Sequence, residues 1–259
     1  VVVAVLDSGI RDTHRDLSGR VSHVSGCGLN PALPDSKDHG THVAGVLGAV
    51  TDNAMGVAGV AWDVQILDVR VLLEHDGLES DIILGIQCAA DNGADVINLS
   101  LEALDPEPSA ALAAAIGYAQ ARGAVVVAAA GNGGGTGLRY PAGYAGVIGV
   151  VSSGRSNSIS ATSDRGPWAD LAAPGEDILS LGAISNFNIS PQSGTSFAAP
   201  QVAGAVALVE QAFPDFTMEQ IGRRLLWTSS HYVGSGSTSE FGILNVSNAV
   251  SAERRYVWQ

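Results

Sequence analysis

Four polar residues stand where apolar runs stop or helices start. Asp7 follows the apolar residues 1–6 and opens the turn Asp7-Ser8-Gly9. His39 lies in Asp38-His39-Gly40-Thr41-His42-Val43-Ala44-Gly45. Asn132 lies in Gly131-Asn132-Gly133, just after the apolar residues 124–130. Ser196 lies in Ser193-Gly194-Thr195-Ser196-Phe197-Ala198-Ala199-Pro200. Acyl transfer needs a nucleophile, a base, a group that orients the base and a donor for the oxyanion, and these four residue types supply them. Ser196 at a helix start sits near unpaired N–H groups and the positive end of the dipole. Pro200 has no N–H, so the carbonyl of Ser196 loses its usual helical partner. Each residue also has an ordinary reading. Ser196 could be a helix cap, Asp7 and Asn132 turn formers, and His39 with His42 a polar first turn or half of a metal site.

The surrounding pattern tells what positions them. Residues 64–72, 95–101, 124–130, 146–151 and 170–173 read as strands, and 80–92, 109–122, 195–213, 216–228 and 245–254 as helices. Fully apolar strands alternating with helices predict an α/β fold, a doubly wound, mostly parallel sheet with helices on both faces. Ligands in such sheets sit beyond the carboxyl ends of the strands. That rule picks out Asp7, Ser100-Leu101 and Gly131-Asn132. At 259 residues, with 46% hydrophobic and 15% charged residues, the chain can bury one large core, and it is read as a single domain over 1–259. A net charge of −13 argues against nucleic acid as a partner. No apolar run is long enough to span a bilayer. Cys27 and Cys88 are too few for a zinc site and leave bridged and free thiols both open.

Taken in order, Val5-Leu6-Asp7-Ser8-Gly9-Ile10, His39-Gly40-Thr41-His42-Val43-Ala44-Gly45, Ala129-Ala130-Gly131-Asn132 and Gly194-Thr195-Ser196-Phe197-Ala198-Ala199-Pro200 resemble the signatures of the subtilisin-like serine proteases. The triad order Asp, His, Ser is that of subtilisin. The resemblance implies a serine endopeptidase working through an acyl-enzyme. Ser196 is then the nucleophile, His39 the base, Asp7 its orienting carboxylate, and Asn132 with the Ser196 N–H the oxyanion site. It implies that substrate pairs with the backbone at Ser100, Leu101 and Glu102, beside Ala129 and Gly131. It also implies protein or peptide substrates, an inhibitory pro-segment and an extracellular setting.

The chain departs from the family in places. Glu102 stands where glycine is common, and Arg139 falls near the floor of the first substrate pocket. Arg139 either points to solvent or turns inward, to pair with Glu102 or to bind an acidic substrate side chain. Six residues precede Asp7, where relatives carry some tens, and Arg15 replaces a common proline in His14-Arg15-Asp16-Leu17. Residues 50–57 resemble the family's calcium loop. Candidate Ca²⁺ donors are the Asp16 carboxylate, the Asn53 side chain and the carbonyls of Val50, Met55 and Val57. The altered pocket also leaves an alternative, a pseudoenzyme or binding module on the same fold with an occluded site.

Overall fold

The computed structural model describes residues 1–24, 27, 35, 38–73, 77–102, 107–230 and 242–251. Its centre is β1 (Val2–Asp7), whose residues are almost all fully buried. Burial on both faces explains why it is an unbroken apolar run. Val3 and Val5 pack into one hydrophobic layer and Ala4 and Leu6 into the other, as side-chain alternation along a strand requires. β5 (Val125–Ala129) repeats the pattern, with Val125 and Val127 on one side and Val126 and Ala128 on the other. Each fully buried Val, Leu or Ile contributes about 1.5–3 kcal/mol.

In chain order the other strands of the main sheet are β2 (Val21–His23), β3 (Gln65–Arg70), β4 (Val96–Leu99), β6 (Val147–Ser153), β7 (Leu171–Pro174) and β10 (Gly242–Ile243). The sheet has eight strands in the order β10-β7-β6-β5-β4-β1-β3-β2, and every neighbouring pair is parallel. β8 (Ile178–Leu181) and β9 (Ile189–Gln192) form a separate antiparallel hairpin. One face carries α1 (His39–Gly48), α4 (Thr195–Ala212), α5 (Met218–Thr228) and α6 (Val246–Val250); the other carries α2 (Glu79–Asp91) and α3 (Ala110–Ala121). α4 is buried along most of its length, and a Cβ on Gly204 would crowd Val60 at 2.9 Å. Cys27 is disulfide-bonded to Cys88 on α2.

β1 lies between β3 and β4, so the chain passes across it on the way from one to the other. This is the switch point at which parallel sheets open a crevice. The predicted doubly wound fold and its five strands stand. The short edge strands β2 and β10, the hairpin β8–β9 and the 3₁₀ turn Arg15–Leu17 are additions. These are two to four residues long, too short for periodicity to register. The helix expected over 245–254 is seen as Val246–Val250, and 252–254 lie outside the described residues.

Candidate active site

Asp7 is the last residue of β1 and is fully buried. Its Oδ1 accepts the Ser8 N–H at 2.7 Å and the His39 Nδ1–H at 2.7 Å. Holding Nδ1–H on a buried carboxylate fixes the tautomer, so Nε2 is the nitrogen that serves as base. Close approach of α1 to β1 depends on Gly40, because a Cβ there would collide with the Gly9 carbonyl. The turn before α1 is unusual. Asp38, the N-cap, is left-handed at φ 62 and does not cap its own helix; its Oδ1 instead accepts the Ala183 N–H at 2.6 Å. Asp35 takes over the capping. Its buried carboxylate accepts the Thr41 N–H at 2.9 Å and the Ser8 hydroxyl at 3.0 Å, and Ser8 Oγ accepts the Gly40 N–H at 3.1 Å. One carboxylate thus ties the helix bearing His39 to the strand bearing Asp7.

Ser196 is the second residue of α4. Pro200 lies inside that helix, and the carbonyl it leaves open accepts the Ser100 hydroxyl at 2.8 Å. The Asn98 amide donates to the same hydroxyl at 2.9 Å. In return the Ser196 hydroxyl reaches the Ser100 carbonyl at 3.3 Å, long enough to leave Oγ ready to turn toward a base. The missing hydrogen bond read from Pro200 is therefore the point where the end of β4 grips the nucleophile's turn. Asn132 follows β5. Its Oδ1 accepts the Thr195 N–H at 2.9 Å and the Thr195 hydroxyl at 3.2 Å. With the carbonyl so held, the side chain presents its NH₂, a donor, next to Ser196.

His39 is held above the ordinary histidine range. Burial alone would pull it down, but the Asp7 charge, the Asp7 hydrogen bond and the charge of Asp35 outweigh it. His42, three residues on, behaves oppositely. It is fully buried, its Nε2–H donates to the Ser190 carbonyl at 3.1 Å, and burial pushes it down to about 4. Phe197 separates the two functions, with its ring 5.4 Å from that of His39 and 4.5 Å from that of His42. His39 is the titrating histidine of the site and His42 a neutral core residue.

His39, Asn132, Gly194 and Ser196 line one cleft of about 540 Å³, together with Ser100, Leu101 and Glu102. Its far end is apolar, lined by Leu72, Ile82, Leu101 and Leu112. Three other residues expected at the substrate groove, Ala129, Gly131 and Arg139, are not among its lining. Ala129 and Gly131 are buried, and Gly131 takes φ 104, a conformation suited to glycine. Arg139 is turned inward as one expectation had it, but onto a different partner. Its Nε lies 3.2 Å from Oδ2 of Asp164, whose side chain is fully buried. Asp164 also accepts the Gly133 N–H at 3.1 Å and the Gly135 N–H at 2.6 Å. It thereby clamps the loop that follows Asn132. Sequence reasoning missed Asp164 and Asp35 because both lie outside the helices and strands, where no apolar periodicity marks them. A carboxylate that caps backbone N–H groups leaves no spacing signal.

Of the donors expected for calcium, the side chains of Asp16 and Asn53 are brought together, but with the wrong polarity. Asp16 Oδ1 accepts the Asn53 amide at 2.5 Å, and Oδ2 accepts the Val57 N–H at 2.8 Å. Asn53 Oδ1 is occupied by the Met55 N–H at 3.1 Å, and the Val50 N–H donates to the Asp16 carbonyl at 2.8 Å. A hard cation needs oxygens around it. Here Asn53 turns its NH₂ rather than its carbonyl toward Asp16, so the residues as arranged do not fit the ion unless that amide turns over.

Comparisons with known proteins give the chain a family. The model of the Subtilase family matches residues 1–243. Subtilisin BL of Lederbergia lenta is 41% identical over 256 residues, covering 98% of this chain and 89% of that protein. An alkaline protease of Alkalihalobacillus alcalophilus is also 41% identical over 98% of this chain, which spans 63% of its length. Among solved structures, a protease from Pseudoalteromonas arctica superposes with a TM-score of 0.87 at 35% identity, covering 96% of this chain and 89% of that one. The chain belongs to the subtilase family of serine endopeptidases.

Proposed function

We propose that peptide bonds are cleaved here through an acyl-enzyme on Ser196. The carrying observation is the 2.7 Å bond from His39 Nδ1 to Asp7 in a cleft that His39 shares with Asn132 and Ser196. Ser196 Oγ attacks the scissile carbonyl while His39 Nε2 takes its proton. Asp7 stabilises the imidazolium without itself taking the proton. The carbonyl oxygen becomes an oxyanion held by the Asn132 NH₂ and the Ser196 N–H. His39 then returns the proton to the leaving amine as the C–N bond breaks. Water, deprotonated by His39, releases the acyl group and restores Ser196. The cleft volume argues against an occluded binding module. Replacing Ser196 tests the assignment: Ser196→Ala should remove nearly all proteolysis, by a factor of about 10⁶, and wild-type turnover in that variant would refute it.

Protein or peptide substrates enter the cleft, and an inhibitory pro-segment is the second partner that the family resemblance implies. An oxidising, extracellular setting is supported by the Cys27–Cys88 disulfide. Among the described residues no helix is long and apolar enough to cross a membrane.

A further inference from the structure

Asn132 and Ser196 locate the oxyanion, and so the residue that donates the scissile carbonyl. Charge around that point is unevenly spent. Arg139 is bound to the buried Asp164, whose remaining contacts are backbone N–H groups. The pair is neutral as a unit and is committed to the loop after Asn132. Glu102 is different. It is exposed, lines the cleft, and lies so close to Gly131 that a Cβ there would collide with its carboxylate. Gly131 adjoins Asn132, so this carboxylate flanks the oxyanion site. Among the described residues Glu102 has no ion-pair partner. The cleft lining contains one further carboxylate, Glu79, and no Lys or Arg. Glu79 accepts the Ser109 hydroxyl at 2.6 Å, which leaves Glu102 as the cleft carboxylate without a partner among the described residues.

We propose that Glu102 is a specificity determinant that favours a lysine or arginine side chain on the residue donating the scissile carbonyl. This rests on the peptidase reading above. A carboxylate on a cleft wall attracts a cation and penalises an anion. The net charge of −13 draws cationic peptides in the same direction from further away. The Arg139–Asp164 pair shapes the loop beneath and sets no charge preference, in contrast to the acid-binding role that its pocket position suggested.

The test is kcat/KM on peptides identical except for Lys, Met or Glu before the cut, normalised to active sites titrated with a serine-directed fluorophosphonate. The expected order is Lys above Met above Glu, with the Lys-to-Met ratio near tenfold at low salt. Glu102→Gln should bring that ratio close to one, and raising salt should shrink it in the parent enzyme. A ratio unchanged by Glu102→Gln overturns the proposal. So does a parent preference for the Glu peptide that Arg139→Leu abolishes. A failed peptidase reading looks different, since none of the peptides would then be cut and a serine-directed fluorophosphonate would not label Ser196.

Discussion

At the scale of the residue, the proton balance of His39 decides when the site works. A general base must be neutral to accept the Ser196 proton. Because Asp7 and Asp35 hold His39 above its ordinary value of 6.5, kcat/KM should fall with acid through a midpoint above that pH. Asp7→Asn should move the midpoint down and cost about 10⁴ in kcat, a size carried over from the chymotrypsin-type triad. An acid limb at or below pH 6.5 in the parent would contradict the reading. Asn132→Ala should lower kcat by about 10²–10³ with KM little changed, a magnitude carried over from subtilisin; an effect confined to KM would remove Asn132 from the oxyanion site. Asp7, His39, Asn132 and Ser196 were all legible in the sequence, because each ends an apolar run or starts a helix inside an ordered motif. The groups that hold them were less so. Ser100 was read as part of a substrate strand, and its grip on the Ser196 carbonyl appears only when β4 and α4 are packed. Arg139 was read as pointing either to solvent or inward, and its partner Asp164, far along the chain, was not foreseen.

At the scale of the element, the loop over residues 50–57 is closed by the Asp16 carboxylate. Its resemblance to a calcium loop was visible in residue types, but the direction of each hydrogen bond was not. Charge-assisted bonds of this kind contribute about 1.5–3 kcal/mol, so Asp16→Ala should lower unfolding stability by at least that amount. With Asn53 presenting its NH₂ and not its carbonyl to Asp16, melting curves in calcium and in chelator should superimpose. A melting temperature that climbs with free calcium would contradict this closure and mean that Asn53 turns its carbonyl inward. The strands were legible for a physical reason: β1, β4, β5 and β6 are buried on both faces and therefore read as continuous apolar runs. The hairpin β8–β9 is half exposed and short, which erases that signal.

At the scale of the whole molecule, one bridge and one cleft tie the sheet together. The Cys27–Cys88 disulfide joins residues 61 apart in sequence, and Cys88→Ser should cost about 2–4 kcal/mol of unfolding free energy. Unchanged denaturant midpoints would show that the bridge adds nothing. The two cysteines announced only their number; the placement of Cys27 beside Cys88 on α2 decided between a bridge and two thiols. The parallel sheet with its switch point at β1 brings the ends of β1, β4 and β5 to one crevice, where α1 and α4 deliver His39 and Ser196. The most direct test of that convergence is labelling the native protein with a serine-directed fluorophosphonate, followed by peptide mapping. A single adduct on Ser196, lost in Ser196→Ala and much slowed in His39→Ala, is the expected result. No adduct, or an adduct on another serine, would contradict the assignment of Asp7, His39 and Ser196 as one catalytic unit.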